Sequence, residues 1–395
     1  MQRVILHFDL DAFFCAVEEQ YDPSLVGVPF AVGGDSAQRG VVASCSYAAR
    51  MYGVRSAQPM IRAKKLCPEL KVISQNRKAY SDYSHKVMSH LLTITPMVEQ
   101  LSIDEAFLDV TGLRGTGADI ARRIQRDIQE RINLPCSIGV ASNKLVAKTA
   151  NNIGKGRHRA PHPPRAIEVV MPGTEAAYLA PLPIRELWGV GAKTAEHMEQ
   201  LDIHTIGDIA RQTEQFMMHH FGKSGFDFWQ RAQGIDTRPV EPEHDAKSIS
   251  RETTFARDIS DRDELQRVLR KLAEDVGRRL RREQISGATI QVKLRWHDFT
   301  TITRQTTLSH PTQDDKTIID TALKLFRENW RGQAVRLVGV GISNLEQAQR
   351  QLSLWESDES AKSRKLQSTL DDLRDRFGDQ SVQRLKDMTD NDHQS

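Results

Sequence analysis

Residues 3–21, RVILHFDLDAFFCAVEEQY, and residues 97–110, MVEQLSIDEAFLDV, decide the fold of this 395-residue chain. RVILHFDL is apolar and β-prone, and from Asp11 the run AFFCAVEEQY suits a helix, so Asp9 sits at a strand-to-helix junction. Residues 98–110 read as two short strands meeting near Asp104. A helix is predicted over 119–131, with Ile120, Ile124, Ile128 and Ile132 on one stripe. PCSIGVA then gives a strand, and SNKLVAKTANN a helix with Ser142 as its cap. The result is a β, α, β, β, α, β order, a ferredoxin-like sheet. It is interrupted by a small inserted subdomain containing Pro29, Pro59, Pro68, the apolar run VVASCSY and the basic Arg62, Lys64 and Lys65.

Further along, GRHRAPHPPRA after Gly156 is rich in Pro and basic residues and marks a boundary. The stretch from 166 to about 236 reads as helical, punctuated by glycine at WGVG and FGKSG. Residues 235–246, Pro-rich and charged without apolar periodicity, read as an interdomain linker. Beyond them Leu265, Val268, Leu269, Leu272, Val276 and Leu280 recur at helical spacing, and Ile290, Val292, Leu294 and Trp296 alternate as in a strand, so the last domain is α+β. The whole is an α+β multidomain chain.

Composition narrows the function. No apolar run reaches about eighteen residues, and the start meets Asp9 and Asp11 too early for a signal peptide, so a cytoplasmic location and no membrane association are expected. Cys15, Cys45, Cys67 and Cys136 lack CxxC spacing, which suggests buried thiols, neither disulfides nor zinc. From Glu346 onward eight basic and eleven acidic residues leave the preceding part at +6, which favours a polyanionic partner weakly.

FDLD and SIDEAF carry the chemistry. Magnesium prefers hard oxygen ligands, takes one or two protein carboxylates and leaves positions for phosphates. Two such ions about 3.5–4 Å apart serve both the attacking hydroxyl and the triphosphate in nucleotidyl transfer. Asp9 and Asp104 are the candidate ligands. Neighbours on an ideal strand point to opposite faces, so Asp104 and Glu105 converge only if the hairpin is kinked there.

FDLDAFFCAVE, SYAARMYGV, SIDEAFLDV and GVASNKLVAKTANNIGK, in this order, resemble the Y-family translesion DNA polymerases, and KSISRETTF and VKLRWHDFTTIT resemble the C-terminal domain of a bacterial branch. The resemblance implies a right-hand polymerase with a ferredoxin-like palm (1–19 and 75–165), small fingers (20–74), a helical helix-hairpin-helix thumb (166–234), an α+β little finger (247–345) and a tail (346–395). It implies low-fidelity synthesis that tolerates damaged templates, with Mg2+, two ions per site, as cofactor, and primer-template DNA and dNTPs as partners of a monomer. Asp9 and Asp104 resemble the metal ligands, joined by the Leu10 carbonyl, and Glu105 the catalytic glutamate. Phe14 matches the aromatic residue that would collide with a ribose 2′-hydroxyl. Tyr47 and Arg50, at i and i+3, match the triphosphate-binding pair, and Lys155 a further phosphate-binding position, although its GKG context departs from the usual run.

Gly189 and Gly191 in WGVG resemble a DNA-binding hairpin, whose free N–H groups suit a phosphate. Lys293 and Arg295 share the polar face of TIQVKLRW and suit sequence-tolerant, salt-sensitive DNA contact. QLSLW resembles the peptide by which bacterial polymerases dock on a sliding clamp, with Gln351, Leu352, Leu354 and Trp355 as its anchors. Leu366, Leu370, Leu373 and Phe377 form a helical stripe that either packs back on the protein or meets a partner. The competing readings are a catalytically silent clamp-binding DNA scaffold, against which the three acids speak, and a palm-based cyclic-dinucleotide synthase, which would lack the C-terminal domain.

Overall fold

The computed structural model describes residues 2–243, 245–347, 367, 369–373 and 376–377. The chain divides into two compact units, Met1–His244 and Asp245–Ser395. In the first, β1 (Ile5–Leu10) leads into α1 (Phe13–Tyr21). An insertion follows: β2 (Phe30–Gly33), β3 (Val42–Cys45), α2 (Tyr47–Met51), α3 (Met60–Leu66) and β4 (Lys71–Ile73). Its three strands pair in the order β3-β2-β4 over a core of their own that includes Ala31, Val42, Ala49 and Met60.

The chain returns through α4 (Arg77–Leu92), β5 (Val98–Gln100), β6 (Glu105–Asp109), α5 (Gly117–Ile132), β7 (Cys136–Ala141), α6 (Lys144–Gly156) and β8 (Ile167–Val169). The sheet order is β5-β6-β1-β7-β8, with β1 central and antiparallel to β6 and β7. Alternation along β1 divides the unit into two cores. Leu6, Phe8 and Leu10 pack with α1, α4 and α5, including Ile120, Ile124 and Ile128. Ile5 and Phe107 lie on the other face with Leu145, Val146 and Ala150 of α6. His7 and Asp9 share this second face by the same alternation.

Short helices complete the unit: α7 (Glu175–Leu179), α8 (Ala192–Glu199), α9 (Ile206–Arg211), α10 (Glu214–Phe221) and α11 (Lys223–Ala232). The second unit runs β9 (Ser248–Ile259), α12 (Arg262–Arg282), β10 (Ile285–Trp296), β11 (Thr301–Thr312), α13 (Asp315–Asn329) and β12 (Val335–Gln347). Its sheet, β11-β10-β12-β9, packs Ile290, Val292 and Leu294 against Leu269, Leu272 and Phe326 of the two helices.

Three details revise or add to the sequence reading. The cap of α6 is Asn143, whose side chain accepts from the Val146 N–H, while the Ser142 hydroxyl donates to Glu175. The segment read as a linker is fastened through Glu241. Lys144 donates to the Pro239 carbonyl at 2.9 Å, the Glu241 N–H to Glu99 at 2.9 Å and the Leu145 N–H to Asp236 at 3.0 Å. Polar anchors of this kind leave no apolar period to read. Near the end of the chain, Gln367 donates to Asp314 and Arg281 to Asp371, so this stretch packs back on the second unit. Leu370 and Leu373 are half-buried, whereas Phe377 is exposed and does not extend the stripe; Leu366 lies outside the described residues.

Candidate active site

Asp9 and Glu105 are direct partners in the β1–β6 register, so both side chains stand on the sheet face covered by α6. Asp104 precedes the first residue of β6, in the four-residue bend after β5, and is therefore free of strand alternation. Its carbonyl accepts from the Leu10 N–H at 3.1 Å and its Oδ1 from the Ser102 hydroxyl at 2.6 Å. The bend supplies the kink that brings two consecutive acids to one end of the sheet.

Helix α6 closes over these carboxylates because β7 has no side chain at Gly139. A Cβ there would lie 2.0 Å from the Ala147 carbonyl and 2.6 Å from the Asn151 nitrogen. From α6, Lys155 places Nζ 2.5 Å from Asp9 and 3.4 Å from Asp11. Asp11 is fully buried and accepts from the Ser137 hydroxyl and the Arg165 N–H. Lys148 donates to Glu105 Oε2 at 2.8 Å. Fully buried His7 lies 3.2 Å from Lys148 Nζ and 2.9 Å from the Asn151 amide. Burial, reinforced by Lys148 and Lys155, holds the His7 imidazole well below its ordinary range, so it is neutral at pH 7.

The two facing acids differ. Burial pushes Asp9 up to about 7 against the pull of Lys155, with Glu105 adding to the rise. Burial also raises Glu105, but the hydrogen bond and charge of Lys148 outweigh it and leave this carboxyl below its usual range. Among the described residues no three acid, histidine or cysteine side chains converge as a ready-made metal cage. The donor set nevertheless suits a hard divalent ion: all oxygen, and with an Asp9 carboxylate whose desolvation one ammonium does not offset.

Around this centre, Arg50 lies over the Tyr47 ring at 4.4 Å, and the buried Tyr47 hydroxyl has no hydrogen-bond partner among the described residues. Burial, with Asp11 next in effect, pushes that phenol up to about 12, so it remains a donor. An unpaired buried donor beside an arginine suits an anionic oxygen. Half-buried Phe14 stacks on Tyr80 with centroids 4.2 Å apart, and the Tyr80 hydroxyl donates to Glu18.

Elsewhere in the first unit, Gly189 takes φ 104, which a side chain would strain, and Gly191 caps α8 without any side-chain acceptor. In the second unit, Lys293 pairs with Glu252 at 2.8 Å and Arg295 donates to Thr301, both on the face opposite the helices. Gln351, Leu352, Leu354 and Trp355 lie outside the described residues. All four cysteines are buried and free, and no described helix is long and apolar enough to cross a membrane.

The sequence reading missed His7, Asp11, Lys148 and Tyr80. Polar residues at alternating positions 7, 9 and 11 of an apolar strand were the available signal for the first two, and the spacing of Lys144, Lys148 and Lys155 for the third.

A ferredoxin-like sheet with paired acids at one end of its central strands, followed by a helical hairpin module and an α+β domain, defines a right-hand polymerase. Comparison with known proteins specifies which. Residues 8–152 match the impB/mucB/samB family, 172–203 the HHH motif of that family and 246–354 its C-terminal domain. The chain is 40% identical over 396 residues to DNA polymerase IV of Dehalococcoides mccartyi, covering 98% of this chain and 99% of that one. It is 35% identical over 390 residues to DNA polymerase IV of Bacillus anthracis, covering 97% and 93%. Among solved structures, the Y-family DNA polymerase chimera Dbh-Dpo4(243-245)-Dbh superposes with a TM-score of 0.77 at 27% identity, covering 86% of this chain and 98% of that one. The insertion ternary complex of Dbh DNA polymerase gives 0.63 at 27% identity with the same coverage. The chain belongs to the impB/mucB/samB family, the Y-family DNA polymerases.

Proposed function

We propose that this chain carries out template-directed, low-fidelity translesion synthesis, joining dNTPs to a primer 3′-OH with release of pyrophosphate. The observation that carries the reading is the cross-strand pairing of Asp9 with Glu105, with Asp104 in the adjoining bend. Asp9 and Asp104, with the Leu10 carbonyl, would hold Mg2+, two ions per site. Bound there, magnesium supplies charge neutralisation for the triphosphate and a more acidic 3′-OH. Glu105 is the catalytic carboxylate of this reading. Tyr47 and Arg50 grip the triphosphate, for which the unpartnered hydroxyl and adjacent guanidinium are suited. Lys155 exchanges its Asp9 partner for a phosphate. Phe14, braced by Tyr80, excludes a 2′-hydroxyl.

Gly189 and Gly191 offer backbone N–H groups to a DNA phosphate, and Lys293 and Arg295 follow the backbone. The palm is assigned to 1–19 and 75–165, fingers to 20–74, thumb to 166–234 and little finger to 247–345. Gln351, Leu352, Leu354 and Trp355 dock a sliding clamp, and the protein works as a cytoplasmic monomer. Primer extension by the parent chain and by Asp104→Ala, each with and without Mg2+, tests the reading. Extension by the parent only, and only with the metal, is expected, and equal extension by the variant refutes it.

A further inference from the structure

Helix α6 carries Lys144, Lys148, Asn151 and Lys155 at spacings of four, three and four residues, which places them on one face. That face lies on the sheet, and each lysine meets a different carboxylate: Lys144 meets Glu99 at 2.6 Å, Lys148 meets Glu105 at 2.8 Å and Lys155 meets Asp9 at 2.5 Å. Lys144 secures the strap at 239–241, and Lys155 faces the proposed triphosphate site. The middle lysine has no role in the reading above.

Its surroundings are specific. Lys148 Nζ touches a single oxygen of Glu105, Oε2, and sits 3.2 Å from His7 Nε2, which itself lies 4.0 Å from that oxygen. His7 is fully buried, and its far nitrogen lies 2.9 Å from the Asn151 amide. The Asn151 amide nitrogen also lies 3.3 Å from the His7 and Ser137 carbonyls, which ties α6 to β1 and β7 beside the ring. Behind Lys148, Trp188 stands with its ring 5.9 Å from Nζ. The ammonium is thus bordered by a buried ring, an indole and one carboxylate oxygen.

A glutamate has three side-chain torsions, and ordering it costs rotamer entropy. Catalytic groups need placement to within about 0.5 Å, which a glutamate at the first position of a strand does not have unaided. We propose that Lys148, backed by His7 and Asn151, is a positioning residue. It pins Oε2 of Glu105 so that the other oxygen faces Asp9 and the reacting groups in one orientation. The inference rests on Glu105 being the catalytic carboxylate. A merely charge-balancing lysine would influence stability alone; a positioning lysine governs turnover without governing nucleotide affinity.

The test uses the full chain in four forms: parent, Lys148→Gln, Glu105→Gln and the double variant, with Lys148→Arg alongside. Single-nucleotide primer extension gives kcat and the dNTP KM. Urea unfolding of the metal-free proteins gives a double-mutant cycle. Lys148→Gln is expected to lower kcat about 10–100-fold, the usual range for outer-shell partners, with KM within about threefold of the parent. Lys148→Arg recovers part of the loss. In the metal-free cycle, Lys148→Gln costs less stability when Glu105 is already glutamine. If Lys148→Gln fails to fold, Lys148→Arg carries the kinetic test, with kcat lowered at unchanged KM. Parental kcat in the Lys148 variants, a KM that rises as kcat falls, or an additive cycle overturns the inference. Glu105→Gln separates the two levels: if it alone keeps parental turnover, the reading of Glu105 falls and the inference with it. If it is inactive while Lys148→Gln is normal, only the inference falls.

Discussion

Replacing Lys144 by methionine removes one half of a deeply enclosed ion pair of the first unit. The two side chains are 6% and 5% exposed, and Nζ lies 2.8 and 2.6 Å from the Glu99 oxygens. Lys144→Met takes both Nζ contacts from the buried Glu99 carboxylate, which keeps the Glu241 N–H and the Arg238 charge, and removes the Lys144 donor from the Pro239 carbonyl. Breaking a buried pair by removing one partner costs about 3–5 kcal/mol, a large part of the roughly 5–15 kcal/mol that stabilises a domain. The double variant Lys144→Met/Glu99→Gln carries no uncompensated charge and should be the more stable of the two. Urea unfolding measures both. Hydrogen exchange at the Glu241 amide reports whether the strap is released, and its protection should fall in the single variant. A loss under about 1 kcal/mol with unchanged protection, or a double variant less stable than the single, would refute the reasoning.

Three other outcomes follow from the site. Phe14→Ala should weaken discrimination against ribonucleotides by at least about tenfold, or about 1.4 kcal/mol, in competitive incorporation assays, and unchanged selectivity would place the sugar filter elsewhere. Changing Leu352, Leu354 and Trp355 together to alanine should abolish stimulation by the sliding clamp while leaving clamp-free extension intact; retained stimulation would make QLSLW incidental. Because burial pushes metal-free Asp9 up to about 7, a proton must leave for a cation to bind below that pH. Mn2+ affinity, followed by electron paramagnetic resonance, should therefore climb from pH 5.5 to about 7 and level off above it, and a flat profile would contradict the assignment of Asp9.

How much was legible in the sequence depended on the kind of signal. Strand β1 and helix α5 announce themselves because each has an apolar period matching its geometry: alternate residues of β1 enter two different cores, and Ile120, Ile124 and Ile128 form one buried stripe. The two acids at 104 and 105 were legible as residues but not as a geometry, since only the bend before β6 frees Asp104 from alternation. Asn143 displaced Ser142 as the α6 cap because Glu175, 33 residues away in the chain, takes the serine hydroxyl. The strap at 234–241 was unreadable for a similar reason: its partners, Asn143, Lys144 and Glu99, are distant in sequence and polar. His7 and Lys148 each carry a local signal, but the contact between them spans 141 residues, and no local pattern encodes that pairing.

The central claim is that Asp9, Asp104 and Glu105 form one metal-dependent nucleotidyl-transfer site, and Asp104→Ala measures it most directly. Asp104 contacts Ser102 through its side chain at an accessible bend, so its loss leaves the sheet intact. Primer extension in Mg2+ should fall by at least about two orders of magnitude, with thermal stability and DNA binding close to those of the parent. Extension at the parental rate by a folded Asp104→Ala protein would contradict the account.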